Sequence, residues 1–224
     1  MPMTLAARPK PLTFAPERAA VIVVDMQNGF ASTGGYLDRA GYDISKAAGV
    51  VANCGRLLPR ARAAGIALVY LQMGWYADLH DAGSPDGGMS HASVALRFMR
   101  ENPSHRATAI TRGSWDYAIV DALAPQPGDA LVPKTRLSGF FETNLDSILR
   151  AKRIDTLFYV GIATNVCVES TIRDGLFRDY KNVLVADATA ATGPDYVAEA
   201  SKFNVEHFLG WVTDTESVCQ SIAG

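Results

Sequence analysis

The sequence predicts an α/β fold: a single domain built on an open parallel sheet with helices on both faces. Three observations point there. Short, purely apolar runs rich in β-branched residues, such as Ala20-Val21-Ile22-Val23-Val24, read as strands buried on both sides. These runs alternate with helical segments about six times, and the crossovers are long enough for parallel pairing. A chain of 224 residues, 48% of them hydrophobic, suits one domain with a full core.

The elements follow in order. Residues 1–18, with Pro2, Pro9, Pro11 and Pro16, read as an extended arm ahead of a domain spanning 19–224. The strand at Ala20 leads to a helix over about Ile44 to Ala64, closed by Gly65. Ile66 to Leu71 is the next strand. Between Met73 and Asp129 the rhythm breaks into glycine-rich sequence with short helical pieces such as Ala92 to Met99; so long an irregular insertion reads as a functional loop or a subunit contact. Strands then follow at Ala130 to Val132, Thr156 to Val160, Val183 to Ala186 and Phe208 to Val212. Between them lie helices at Asn144 to Lys152, Asn165 to Tyr180 and from Thr192 onward. Thr213 and Glu216 have the spacing of a capping box for the final helix.

Composition excludes several classes. Lys and Arg total 21 against 23 Asp and Glu, a net charge of −2, and no basic cluster offers a nucleic-acid surface. No apolar run approaches the roughly 20 residues of a membrane span, and the first twenty residues do not read as a signal peptide. Cys54, Cys167 and Cys219 are odd in number and widely spaced, which is no disulfide framework and fits a cytoplasmic protein.

Ligands of an open parallel sheet bind beyond the carboxyl ends of its strands, so the residues there are the candidates for chemistry. Asp25 directly follows the first strand, Lys134 the strand at Ala130, and Cys167 falls in the first turn after the strand at Thr156. Each alone has an ordinary structural explanation: a turn residue, a solvated lysine, a core cysteine. Their coincidence on one sheet edge is what points to nucleophilic catalysis. A helix N-terminus favours thiolate, a carboxylate can take the thiol proton, and an ammonium can hold that carboxylate. His80, His91, His105 and His207 follow no core strand and make a Cys–His dyad the weaker reading. Neither a Gly-x-Gly-x-x-Gly nor a phosphate-loop motif is present, against a nucleotide-binding role.

Val23-Val24-Asp25-Met26-Gln27-Asn28-Gly29-Phe30, Lys134 ahead of Arg136, Ser138 and Phe140, and Gly161-Ile162-Ala163-Thr164-Asn165-Val166-Cys167-Val168 together resemble the isochorismatase-like cysteine hydrolases. Gly34-Gly35-Tyr36-Leu37 and Gly113-Ser114-Trp115-Asp116-Tyr117 resemble the ureidoacrylate amidohydrolases within them, with biuret and triuret hydrolases as related members. The resemblance implies a six-stranded parallel sheet, an Asp25–Lys134–Cys167 triad, a cis Ile162–Ala163 peptide, and an oxyanion hole from the Ala163 and Cys167 amides. It implies an amidohydrolase that cleaves a C–N bond of a small ureido compound through a thioester on Cys167, releasing carbamate or ammonia. No cofactor and no metal are implied, since the Asp-x-His pattern of the metal-binding relatives is absent from Gln72-Met73-Gly74-Trp75. A homo-oligomer, dimer or tetramer, is implied as well. Phe30, Tyr36, Met73, Trp75, Leu137, Phe140, Phe141 and Ile162 are the candidate substrate-binding residues, with Trp115 a further candidate for the pocket wall. Met73 and Leu137 stand where the ureidoacrylate enzymes carry Asn and Tyr. The competing reading is an inactive scaffold that uses Cys167 as a redox sensor or binding site.

Overall fold

The computed structural model describes residues 2–223. In chain order the strands are β1 (Met3–Leu5), β2 (Leu12–Phe14), β3 (Ala19–Val24), β4 (Ala67–Met73), β5 (Ala130–Lys134), β6 (Thr156–Ile162), β7 (Lys181–Ala190) and β8 (Trp211–Thr213). The α-helices are α1 (Asn28–Ala31), α2 (Tyr36–Arg39), α3 (Ala47–Ala63), α4 (Gly88–Ala92), α5 (Val94–Glu101), α6 (Leu145–Ala151), α7 (Glu169–Leu176), α8 (Asp195–Asn204) and α9 (Thr215–Ser221). Strands β3 to β8 form one six-stranded sheet in the order β5-β4-β3-β6-β7-β8, every pair parallel.

The central strands are apolar throughout because both faces are covered. Every residue of β3 and of β6 is buried. Alternate residues serve opposite layers: Val21, Val23, Phe158 and Val160 pack with Val50, Leu57 and Val218 of α3 and α9. Ile22, Val24, Leu157 and Tyr159 pack with Leu145, Leu149 and Ile172 of α6 and α7.

The chain builds outward from β3 through β4 to β5, then returns to the centre and builds the other way from β6. Strand order therefore reverses between β3 and β6, which opens a crevice at their carboxyl ends. Val24 lies beside Gly161 in that register.

Two local expectations change, at the last strand and at the final helix cap, and the extended N-terminal arm packs against the body of its own chain. The N-terminal stretch forms an antiparallel hairpin of β1 and β2, whose Leu5, Leu12 and Phe14 are buried in the main core. Arg8 exchanges two 2.9 Å backbone hydrogen bonds with Val212, so the hairpin covers part of the free edge of β8, where unpaired backbone groups invite aggregation. The last strand starts at Trp211 rather than Phe208, because residues 205–209 continue α8 as a π-turn. At Gly210 a side chain would collide with the Asn182 carbonyl, 2.2 Å from an ideal Cβ. The cap of α9 is Asp214, which accepts from Ser217 N–H at 2.7 Å; the Thr213 hydroxyl is spent on Ala6 O, at 2.7 Å.

Candidate active site

Asp25 is the first residue past β3. Its φ of 50° is a left-handed conformation uncommon for a residue with a side chain, and such positions concentrate at functional sites. Gln27 stabilises the turn from beneath: it accepts from Met73 N–H at 2.8 Å and donates to Met73 O and Tyr117 O at 3.0 and 2.9 Å. The first strand is thereby tied to the end of β4 and to the insertion.

Lys134 ends β5, two strands away, beside Met73 in the register. Its side chain crosses the end of β4 and brings Nζ within 2.8 Å of Asp25 Oδ2. Both side chains are fully buried. Nζ also donates to Arg136 O and Leu137 O, each at 3.2 Å. At 2.8 Å the contact is at hydrogen-bond as well as ion-pair distance, so both charge and hydrogen bonding hold the buried pair. Burial works against the ammonium, but the Asp25 carboxylate and the Cys167 sulfur outweigh it and hold the lysine above its ordinary value. Burial pushes the Asp25 carboxyl up, and the nearby Lys134 charge only partly offsets this. The result is a buried carboxylate that is a stronger base than one in water.

Cys167 lies in a π-turn, Thr164–Val168, that opens α7, and its thiol interacts with both Asp25 and Lys134. A helix N-terminus favours thiolate, yet burial wins here: it pushes the thiol up to about 12, with Lys134 acting to lower it and Asp25 to raise it. Burial thus opposes the thiolate that the helix position favours. The other two cysteines are also buried and free, and burial pushes Cys54 up to about 12.

A cavity of about 260 Å³ opens above Cys167. Of the residues singled out in the sequence, Phe30, Tyr36, Met73, Leu137, Ile162 and Ala163 line it together with Cys167. The Ile162–Ala163 peptide is cis. The remaining aromatic candidates lie elsewhere. Trp75 is buried in the core on the α3 side of the sheet. Phe140 stacks on Tyr180 in the opposite layer. Phe141 and Trp115 are half exposed and outside the cavity. None of the four histidines lines it: His80 pairs with Asp78 at the surface, His105 stacks on Phe98 and His207 stacks on Phe203. Among the described residues no cluster of three or more His, Cys, Asp or Glu side chains could hold a metal ion, and no helix is long and apolar enough to cross a membrane.

Sequence reading missed the roof. Met89, Ser93, Val94 and Ile110 come from the insertion, whose short helices carry no strand-end signal. Only its length marked it. Gly74 shows how closely it docks: a Cβ there would sit 2.2 Å from Ile110 O.

The isochorismatase domain profile matches residues 19–217. Among curated proteins, the chain is 52% identical over 221 residues to the ureidoacrylate amidohydrolase RutB of Agrobacterium fabrum, covering 99% of this chain and 97% of that protein. It is 51% identical to the ureidoacrylate amidohydrolase RutB of Rhizobium rhizogenes, covering 99% and 90%. Among solved structures, a cysteine hydrolase from Pseudomonas syringae pv. phaseolicola superposes with a TM-score of 0.79 at 35% identity, covering 94% of each chain. N-carbamoylsarcosine amidase from Thermoplasma acidophilum superposes with a TM-score of 0.68 at 26% identity, covering 89% of this chain and 97% of that one. A reversing six-stranded parallel sheet, a profile match over most of the length and relatives above half identity agree: the chain belongs to the isochorismatase domain family.

Proposed function

We propose that the protein hydrolyses a C–N bond of a small ureido compound through a thioester on Cys167. At the coarser level the chain is a hydrolase acting on carbon–nitrogen bonds other than peptide bonds, as the relatives above half identity support. The observation that carries the finer reading is the fully buried Asp25–Lys134 pair, 2.8 Å apart, with the Cys167 thiol against both and open to the cavity.

Asp25, whose burial raises its basicity, takes the thiol proton as Cys167 Sγ bonds to the ureido carbonyl carbon. A thiol that ionises only near 12 is activated at the moment of attack rather than stored as thiolate. The oxyanion forms against the Ala163 and Cys167 amides. As the C–N bond breaks, Asp25 returns the proton to the departing nitrogen. Water, deprotonated by Asp25, then adds to the thioester carbonyl, releases carbamate and restores the thiol. Lys134 stays protonated throughout and keeps the carboxylate in place. Three free, buried cysteines accord with a reducing compartment.

The test is release of ammonia and carbamate from ureidoacrylate, biuret, triuret and N-carbamoylsarcosine, with Cys167→Ser as control. Cys167-dependent turnover of at least one supports the reading. Equal rates for the wild type and Cys167→Ser overturn it. With the nucleophile removed, turnover should fall by about 10³-fold or more.

A further inference from the structure

We infer that the cavity selects a ureide whose substituent is uncharged and apolar, and disfavours one that ends in a carboxylate. This rests on the reading of Cys167 as the nucleophile and names what lies beside it.

No residue lining the cavity carries a formal charge. Its two walls nearest the buried ion pair are Met73 and Leu137: the Met73 sulfur lies 3.6 Å from Lys134 Nζ, and Leu137 O accepts from the same ammonium. Met89, Val94 and Ile110 add further apolar lining. The polar side chains are neutral, the hydroxyls of Tyr36, Tyr42, Ser93 and Thr192.

The cations near the site are committed or outside it. Lys134 is sealed against Asp25 with no exposed side-chain surface. Arg97 bears electrostatically on the Tyr36 hydroxyl but does not line the cavity, and its guanidinium lies 3.4 Å from His91 O. Arg136 lies against its own neighbour, donating to Thr135 O and Oγ1. A substrate carboxylate would lose water with no cation to replace it, whereas a ketone, ester or alkyl terminus would lose little. A wall of thioether and isobutyl groups rejects the charged end for the same reason that a polar wall would recruit it.

The decisive pair differs only at that end: 3-ureidoacrylate and 4-ureidobut-3-en-2-one, in which a methyl group replaces one carboxylate oxygen and the conjugated leaving group is retained. Each kcat/KM is divided by the uncatalysed rate for that compound. The ketone should lead by at least about tenfold, a modest margin for one desolvated charge, and the Met73→Asn/Leu137→Tyr variant should narrow the gap. A carboxylate turned over as well as the ketone, or better, overturns the inference. Where neither is turned over, calorimetry on Cys167→Ser decides. Tighter ketone binding upholds the pocket reading, with the proposed reaction then decided by the biuret, triuret and N-carbamoylsarcosine assays; equal or tighter carboxylate binding, or no binding of either, overturns the pocket reading.

Discussion

Thr171 Oγ1 donates a 2.6 Å hydrogen bond to the main-chain carbonyl of Cys167 and accepts one of 3.0 Å from Gly139 N–H. One buried hydroxyl thus ties the nucleophile turn to the loop that follows Lys134. Thr171→Val keeps the shape and removes both bonds, leaving a buried N–H without a partner at a cost of about 1–3 kcal/mol. The outcome expected is a kcat lowered about tenfold with KM little changed, since a small displacement of the sulfur affects the chemical step more than binding. Thr171→Ser should rescue it. Loss of stability alone, with kcat intact, would assign Thr171 to the scaffold.

The Asp25–Lys134 pair predicts a specific pattern of stability. Lys134→Met strands a buried carboxylate and should cost roughly 3–5 kcal/mol, while Asp25→Asn added to it should recover much of that loss. Urea denaturation of the two single variants and the double variant measures the coupling. Additive losses would mean that the two charges do not interact.

The pH profile follows from the direction of each shift. Asp25 works as carboxylate, and burial raises its carboxyl above 3.8. Activity should therefore fall as pH drops through that raised value, with a midpoint above the usual carboxylate range. Because the Cys167 thiol is held near 12, kcat/KM should show no ascending limb between pH 8 and 9, where an ordinary cysteine ionises. Such a limb, abolished in Cys167→Ser, would mean that thiolate accumulates before substrate arrives.

Gly161 sits beside Val24 with φ 115°, and an ideal Cβ there would lie 2.0 Å from Val24 O. Gly161→Ala must force β3 and β6 apart at the base of the site, so a loss above about 3 kcal/mol or failure to fold is expected. Gly49 within α3 is the contrast: its Cβ would meet nothing within 4 Å. There, Gly49→Ala should raise stability by up to about 1 kcal/mol, read as a higher thermal midpoint.

The sheet and the placement of its chemistry were legible from residue order. A parallel sheet buried on both faces demands continuous apolar strands, and β3 and β6 display them. It also sends every strand's carboxyl end to one edge, so Asp25, Lys134 and Cys167 could be placed together without knowing a single contact. The sequence by itself determined that alignment, because burial and connectivity are written locally. Tertiary structure decided the rest. Helix position argued for a thiolate at Cys167, but burial by segments distant in the chain pushes the thiol up. Phe30 and Phe140 are alike in sequence, yet one lines the cavity and the other stacks on Tyr180. Which way a side chain faces, and how much solvent a charge keeps, depend on what packs against it from far along the chain, and no local pattern carries that information.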